Sequence, residues 1–285
     1  MKTASPLRYP GGKSSMTSVL AQVRRLNSLG NRAVAEPFAG GAGASLALLF
    51  DEMTPEIYIN DLDCSIRDFW WSVTKKCDDF IALLESSPIS VEEWRRQREI
   101  YRSKGRISRL ERGFATFYLN RCNRSGVIFN AGPIGGVEQI GKWKIDARFN
   151  RKDLIARCRR VAEYRDRVVV SGSDGVQFIK SMNVDKTFFF IDPPYFEKGQ
   201  SLYLNVADSS YHAVLANHLR GMIDSAWVLT YDDCAEIRSL YDGWANIRPF
   251  SLRYSAAERR GGREVLITPK WMRLPDSQLS EAIGW

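Results

Sequence analysis

The chain has 285 residues, of which 44% are hydrophobic and 26% charged, so it can bury a full core and carry a second, smaller lobe. Its net charge of +8 and isoelectric point near 9.3 favour a polyanionic partner. No apolar run approaches the ~20 residues of a membrane span, and Met1-Lys-Thr-Ala-Ser-Pro6 lacks the apolar core of a signal peptide, so no membrane association is expected.

Cys64, Cys77, Cys122, Cys158 and Cys234 are scattered, with no CxxC and no nearby His. That spacing speaks against a metal site or a disulfide framework and suits a reducing cytoplasm. There is no internal repeat and no low-complexity segment.

In chain order, Leu7-Arg-Tyr-Pro-Gly-Gly-Lys13-Ser14 comes first. It ends like a triphosphate-binding loop, but Leu7 stands where the first glycine is required, which excludes that reading. A Gly-Gly turn remains, presenting Lys13 at the start of a helix expected over 14–29. Tyr9 and Lys13 offer a ring and a cation to one ligand, or the stretch is a plain helix start.

Residues 31–38 read as a strand running into Gly40, Gly41 and Gly43, then an apolar helix over 46–50. Residues 56–60 form a second strand with Asp61 at its end. An acid about 20 residues past a glycine turn is where a nucleotide-binding α/β unit places its ribose-binding carboxylate. The pair points to an adenosine-containing cofactor.

From 62 to 164 the character changes. Residues 64–85 read as helical, with Phe69, Trp70 and Trp71 packing inward. Helical patterning continues over 92–124 with a dense set of arginines, among them Arg95, Arg109, Arg112, Arg121 and Arg124. Such a run is either a solvated helix face with local ion pairs or a phosphate-binding surface. Residues 125–146 are Gly-rich and hold Phe129, Asn130, Lys142, Trp143 and Lys144, which predicts an exposed hairpin or long loop suited to phosphates and base edges. A basic amphipathic helix over 150–164 follows.

Arg167 to Val170 is a strand with Asp174 just beyond it. Asp174 either contacts a cofactor adenine or caps the next helix, and both can hold together. Residues 186–191 form an aromatic strand that Asp192-Pro193-Pro194-Tyr195 stops abruptly. A carboxylate, a rigid carbonyl and a flat ring at a strand mouth make a slot for a planar group bearing an amine. A Pro-capped turn is the plainer alternative. Residues 196–209 are long enough for a lid. Helix 211–223, strand 226–230 and helix 234–241 follow. Residues 244–252 and 264–269 form a closing antiparallel pair around a basic loop, 254–263.

In this order the motifs resemble the Dam-type, alpha-class (D12) DNA adenine N6-methyltransferases. The resemblance rests on Tyr9-Pro-Gly-Gly-Lys13, Glu36-Pro-Phe-Ala-Gly-Gly-Ala-Gly43, Asn60-Asp61, Phe117-Tyr-Leu-Asn-Arg121 with Ser125-Gly126, and Asp192-Pro-Pro-Tyr195. It implies an α/β fold: a Rossmann-like S-adenosylmethionine-dependent sheet (1–61 and 165–271), an inserted, mainly helical target-recognition lobe (62–164) with a specificity loop (125–146), and a tail (272–285). It implies S-adenosylmethionine as cofactor, double-stranded DNA as partner, no metal, a monomer, and a bacterial or phage-encoded cytoplasmic protein. Tyr9, Lys13, Asp61 and Asp192 fall at cofactor-site positions, with Glu36, Phe38, Gly40 and Asp174 lining the same pocket. Asp192, Pro193, Pro194 and Tyr195 would carry catalysis. Arg95, Arg121, Asn123, Arg124, Phe129, Asn130, Lys142 and Lys144 would meet DNA.

Relatives that methylate GATC carry an Arg early in the specificity loop, whereas Ser125-Gly-Val-Ile-Phe-Asn130 has none, so a different target is expected. Competing readings are methylation of RNA adenine, cytosine N4 or protein glutamine, a dinucleotide-dependent oxidoreductase, and a catalytically silent DNA-binding relative.

Overall fold

The computed structural model describes residues 4–8, 13–103, 105–196, 209–251 and 263–275. Its frame is one seven-stranded sheet. The strands are β1 (Ala33–Glu36), β2 (Ile57–Asn60), β3 (Val168–Ser171), β4 (Thr187–Ile191), β5 (Ala226–Asp232), β6 (Ala245–Ser251) and β7 (Arg263–Pro269). Their order is β3-β2-β1-β4-β5-β7-β6. The first five in that order are mutually parallel, and β7 alone runs against its neighbours β5 and β6.

The central strands are buried on both faces, which is why they read as continuous apolar runs rather than alternating ones. The two-residue pleat shows in β4. Phe188 and Phe190 join one core with Val34, Ile57 and Ile59. Phe189 and Ile191 join the other, with Trp227 and Leu229.

Helices α1 (Thr17–Leu26) and α2 (Gly43–Phe50) belong to the first core. Helices α8 (Gly175–Ser181), α9 (Ser209–Arg220) and α10 (Ala235–Tyr241) cover the second face. Between β2 and β3 lie α3 (Cys64–Lys75), α4 (Cys77–Ser86), α5 (Val91–Arg102), α6 (Arg109–Cys122) and α7 (Arg151–Glu163). This insertion shares the first core with the sheet through Phe69, Trp70, Phe80, Phe114 and Phe117. Phe69 stacks on Phe117 with ring centroids 5.9 Å apart, and Phe80 meets Phe117 edge-on at 5.4 Å.

The helical stretches break where capping chemistry allows. The helix expected over 64–85 is two helices, separated at Lys76 by a non-helical φ of −139°. The run expected over 92–124 is also two. Ser90 caps α5, and Ser108 and Glu111 form a reciprocal capping box that starts α6. Trp71 departs from expectation. Phe69 and Trp70 are buried, but Trp71 is half-buried and lies under the Arg109 guanidinium, 5.0 Å from the ring centroid.

Part of the basic run is committed inside the lobe. Asp68 is fully buried and accepts from Arg67 at 3.1 Å, Arg109 at 3.1 Å and Arg112 at 2.8 Å. Three cations thus satisfy one interior carboxylate at the α3–α6 crossing.

That crossing is close enough to need a glycine. A Cβ on Gly113 would lie 2.5 Å from the Asp68 carbonyl oxygen and 2.6 Å from Ser72 Oγ. Ser72 Oγ already donates to that same carbonyl at 2.6 Å, so neither atom can yield cheaply. Gly113→Ala should therefore lower unfolding free energy by about 1–3 kcal/mol despite alanine's better helix propensity. An unchanged or raised urea midpoint would show that the helices separate freely.

Candidate active site

Because five neighbouring strands are parallel, their carboxyl ends share one edge. An acid stands at or after each of these ends: Glu36 at β1, Asp61 after β2, Asp174 after β3, Asp192 after β4 and Asp232 at β5. The chain order reverses between β1 and β4, the switch point where open α/β sheets bind ligands.

Around β1 and β2 the acids shape the backbone. Gly40 (φ 46°) and Ala42 (φ 45°) are left-handed, which folds the turn back over the strand end. Asp61 Oδ2 accepts from Gly40 N at 2.9 Å, and its Oδ1 accepts from Asp63 N at 2.9 Å. Asn60, fully buried, donates to the carbonyls of Pro37 and Ser173, both at 2.9 Å, and accepts from Ser171 Oγ at 2.8 Å. It staples three strand ends together. Trp70 Nε1 reaches across from α3 to the Gly40 carbonyl at 2.9 Å.

Glu36 is buried and accepts from both Ser45 N, at 3.0 Å, and Ser45 Oγ. Burial pushes its carboxyl up to about 7, and the nearby Asp192 charge pushes the same way. Asp61 is also pushed up to about 7, first by burial and then by the Asp63 charge.

Asp174 caps α8, accepting from Val176 N and Gln177 N, each at 3.0 Å. Its other oxygen accepts from Tyr211 OH at 2.9 Å. The capping alternative is therefore realised, and Tyr211 is a partner no sequence pattern indicated. Phe38 meets the Tyr211 ring edge-on, with centroids 6.3 Å apart.

The segment after β4 forms the other half. Asp192 Oδ1 accepts from Thr230 Oγ1 at 2.6 Å and from Lys13 Nζ at 3.2 Å. Lys13 also donates to Tyr195 OH and lies 3.6 Å from Glu264 Oε2. Pro193 is buried and Pro194 half-buried. Phe196 N donates to Asp232 Oδ1 at 3.1 Å. The structure thus unites Lys13, Asp192 and Tyr195, and adds Thr230 and Glu264, which sequence reasoning missed. Tyr9, the lid expected over 196–209 apart from its ends, the basic loop 254–263 apart from Arg263, and the tail beyond 275 lie outside the described residues.

Two residues expected at DNA are interior. Arg121 is buried, and its Nε and Nη2 donate to the Pro6 carbonyl, the former at 2.8 Å. Burial lowers its guanidinium to about 9. Asn123 is buried, accepts from Trp94 Nε1 at 2.7 Å and donates to the Val127 carbonyl at 2.8 Å. Both are fixtures of the lobe, because every residue from Gly113 to Cys122 is buried and α6 has no solvent face there. Arg95, Arg124, Phe129, Asn130, Lys142 and Lys144 are exposed.

The 125–146 segment is a loop and not a hairpin: its one bridge joins Asn123 to Pro133. Gln139 organises it, donating to the Ile134 carbonyl at 2.8 Å and accepting from Ile145 N at 2.9 Å. Ile140 is 87% exposed and Trp143 65%. Gly126 (φ 76°) sits against the Arg8 carbonyl where no side chain fits. Asn120 locks the same place, accepting from Arg8 N at 2.7 Å and donating to the carbonyls of Arg8 and Gly126 at 2.6 and 2.8 Å.

Sheet order, an acid-lined carboxyl edge and an Asp-Pro-Pro-Tyr strand mouth define a Rossmann-like methyltransferase. The family model for D12 class N6 adenine-specific DNA methyltransferases matches residues 9–256, most of the chain. The chain belongs to that family and is an adenine-specific DNA methyltransferase. No curated protein matches it. No helix among the described residues is long and apolar enough to cross a membrane.

The raised Glu36 carboxyl has a consequence for stability. Its folded value lies above the unfolded one, so the folded state binds the extra proton and stability falls as pH rises from about 4.5 to about 7. Wild type should lose up to about 3 kcal/mol more than Glu36→Gln between pH 5 and pH 8. Urea unfolding of both at four pH values checks this, and parallel curves would place the titration elsewhere.

Proposed function

We propose that the protein transfers a methyl group from S-adenosylmethionine to N6 of an adenine flipped out of duplex DNA. The observation that carries this reading is the Asp192 carboxylate. Its Oδ1 is held by Thr230 and Lys13, while Oδ2 has no partner among the described residues.

The residues present fit the cofactor. The strand-end row of Glu36, Asp61, Asp174 and Asp192 offers acceptors and negative charge, which suits a cation rich in hydroxyl and amino donors. Asp61 would take the ribose, Glu36, Phe38, Gly40 and Asp174 would line the pocket, and Tyr9 and Lys13 hold cofactor-site positions by the family resemblance. When bound, S-adenosylmethionine supplies an electrophilic methyl on a sulfonium.

The chain's own residues deal with the nucleophile. The adenine N6 lone pair is conjugated into the ring. The Asp192 carboxylate and the Pro193 carbonyl accept the two N6 hydrogens, which favours a tetrahedral nitrogen with its lone pair freed. The same acceptors stabilise the positive charge that develops there. Tyr195 stacks on the base, and its hydroxyl is held by Lys13. A base inside a duplex is out of reach, so flipping is part of the reading.

Three arms of one experiment test it: labelled S-adenosylmethionine with duplex DNA, RNA or protein, followed by nucleoside analysis. Label should appear as N6-methyladenine in DNA alone. Asp192→Ala should remove at least 99% of it while the circular dichroism spectrum persists. Label in RNA adenine or cytosine N4, or activity of Asp192→Ala within a few-fold of wild type, would sink the assignment.

The loop 125–146 is the proposed reader of sequence. Ile140, Trp143 and Phe129 present apolar surface to solvent, flanked by the exposed cations Arg124, Lys142 and Lys144. Exposed aromatics among cations suit stacking and phosphate contact together. Trp143→Ala should weaken DNA binding by about 1–3 kcal/mol, with cofactor affinity and melting temperature unchanged. Fluorescence anisotropy and calorimetry measure the two affinities, and equal DNA affinity would assign the ring no contact.

A further inference from the structure

Resting on the methyl-transfer reading, we propose that Glu264 is a positioning residue that acts through Lys13 and holds it back from the Asp192 carboxylate.

Glu264 lies on β7, the strand that runs against the sheet. Its backbone pairs with Asp232 on β5 and Phe250 on β6. Its side chain is 2% exposed, and its Oε2 is 3.6 Å from Lys13 Nζ. Lys13 is itself 3% exposed, while Asp192, 3.2 Å away, is 24% exposed. The ammonium is therefore buried between two carboxylates, one interior and one partly exposed.

A buried carboxylate is costly unless it is paired, and Lys13 is a cation within reach of Glu264. A lone buried lysine would shed its proton. With one acid on either side, Lys13 is shared between them. Its position between them keeps the pair to Asp192 long. It also directs another of its protons to Tyr195 OH.

Removing the Glu264 charge would let Lys13 move fully onto Asp192. A tighter ion pair takes acceptor strength and charge from the carboxylate at which N6 must donate. Thr230 would still fix Asp192 Oδ1, so the carboxylate would stay in place and lose potency rather than position. Among the described residues, Asp232 at the end of β5 and Glu36 at the end of β1, whose charge is coupled to that of Asp192, also bear on this cluster.

The test uses the full chain with lysine labelled at Nζ, as wild type, Glu264→Gln and Glu264→Asp. Nitrogen NMR follows Lys13 against pH, with Lys13→Arg supplying the assignment. Single-turnover methylation of duplex DNA is measured alongside. In Glu264→Gln the Lys13 midpoint should fall by about one pH unit, since an opposite charge within ~4–6 Å favours the ammonium. The methylation rate at saturating cofactor should fall about tenfold or more, and the alkaline limb of the rate profile should move down with Lys13. Glu264→Asp should restore part of both effects, and it stands in should the Gln variant not fold.

An unchanged Lys13 midpoint overturns the pairing. A shifted midpoint with an unchanged rate overturns the positioning role. Failure of wild type to methylate DNA would overturn the methyl-transfer reading and with it the positioning role, while the Lys13 titration still decides the pairing.

Discussion

The site depends on one constraint, the common direction of five strands. Parallel strands end on one edge, so whatever residue follows each strand becomes a wall of one cleft. That is how Glu36, Asp61, Asp174 and Asp192, spread over more than half the sequence, come to stand along one edge. Burying carboxylates at this edge has a cost, visible in the raised Glu36 and Asp61, which burial pushes up first. The fold meets that cost locally. Backbone N–H groups of Gly40, Asp63, Ser45, Val176 and Gln177 each donate to one of these acids. The acidic surplus that remains suits the cationic cofactor proposed above.

The helical insertion contributes to this edge without adding an acid to it. The C-terminal end of α6 is a single node from which two segments hang. Asn120 and Arg121 grip the backbone of residues 6 to 8, and Arg157 from α7 grips Ser5 at 3.1 Å. That segment leads to Lys13. Two residues further on, Asn123 sets the start of the exposed loop by binding the Val127 carbonyl. The loop that faces solvent and the lysine that faces Asp192 are thus referred to the same rigid helix. Such a shared support fixes their relative position more tightly than either chain segment could alone.

This division explains what was legible in the sequence. The glycine turn, Asp61 and the Asp-Pro-Pro-Tyr mouth are local signals, because each is a short run whose backbone needs are written in its own residues. Glu264 and Thr230 carry no local signal. Each is an ordinary strand residue, and its role comes only from the strand beside it. Arg121 and Asn123 misled for a different reason. A charged residue on a helix is usually exposed, but α6 carries Phe114, Phe117, Tyr118 and Leu119 around its circumference. A helix apolar on all sides is a central one, and its polar residues must then be satisfied inside. Asn120 and Asn123 do this through two-sided amide bonds, and Arg121 through the Pro6 carbonyl. The breaks at Lys76 and before Ser108 were likewise hidden, since periodicity continues across them and only capping geometry marks them.

The same accounting bears on how charge serves this protein. The net charge of +8 suggests a broad basic face. Yet Arg67, Arg109 and Arg112 converge on Asp68, Arg121 holds Pro6, and Arg24 donates to the carbonyls of Gly30, Arg32 and Met53 at 3.2, 2.8 and 3.0 Å. The buried guanidiniums among these add to the long-range field, which draws a polyanion in, but they cannot reach a phosphate. Counterion release depends on phosphates neutralised in contact, so it scales with exposed cations alone. Arg95, Arg124, Lys142 and Lys144 are of that exposed kind, and the last three flank or lie within the loop that carries Ile140 and Trp143. Charge is therefore spread over the molecule, while three of these exposed cations stand beside the exposed apolar loop proposed to read sequence.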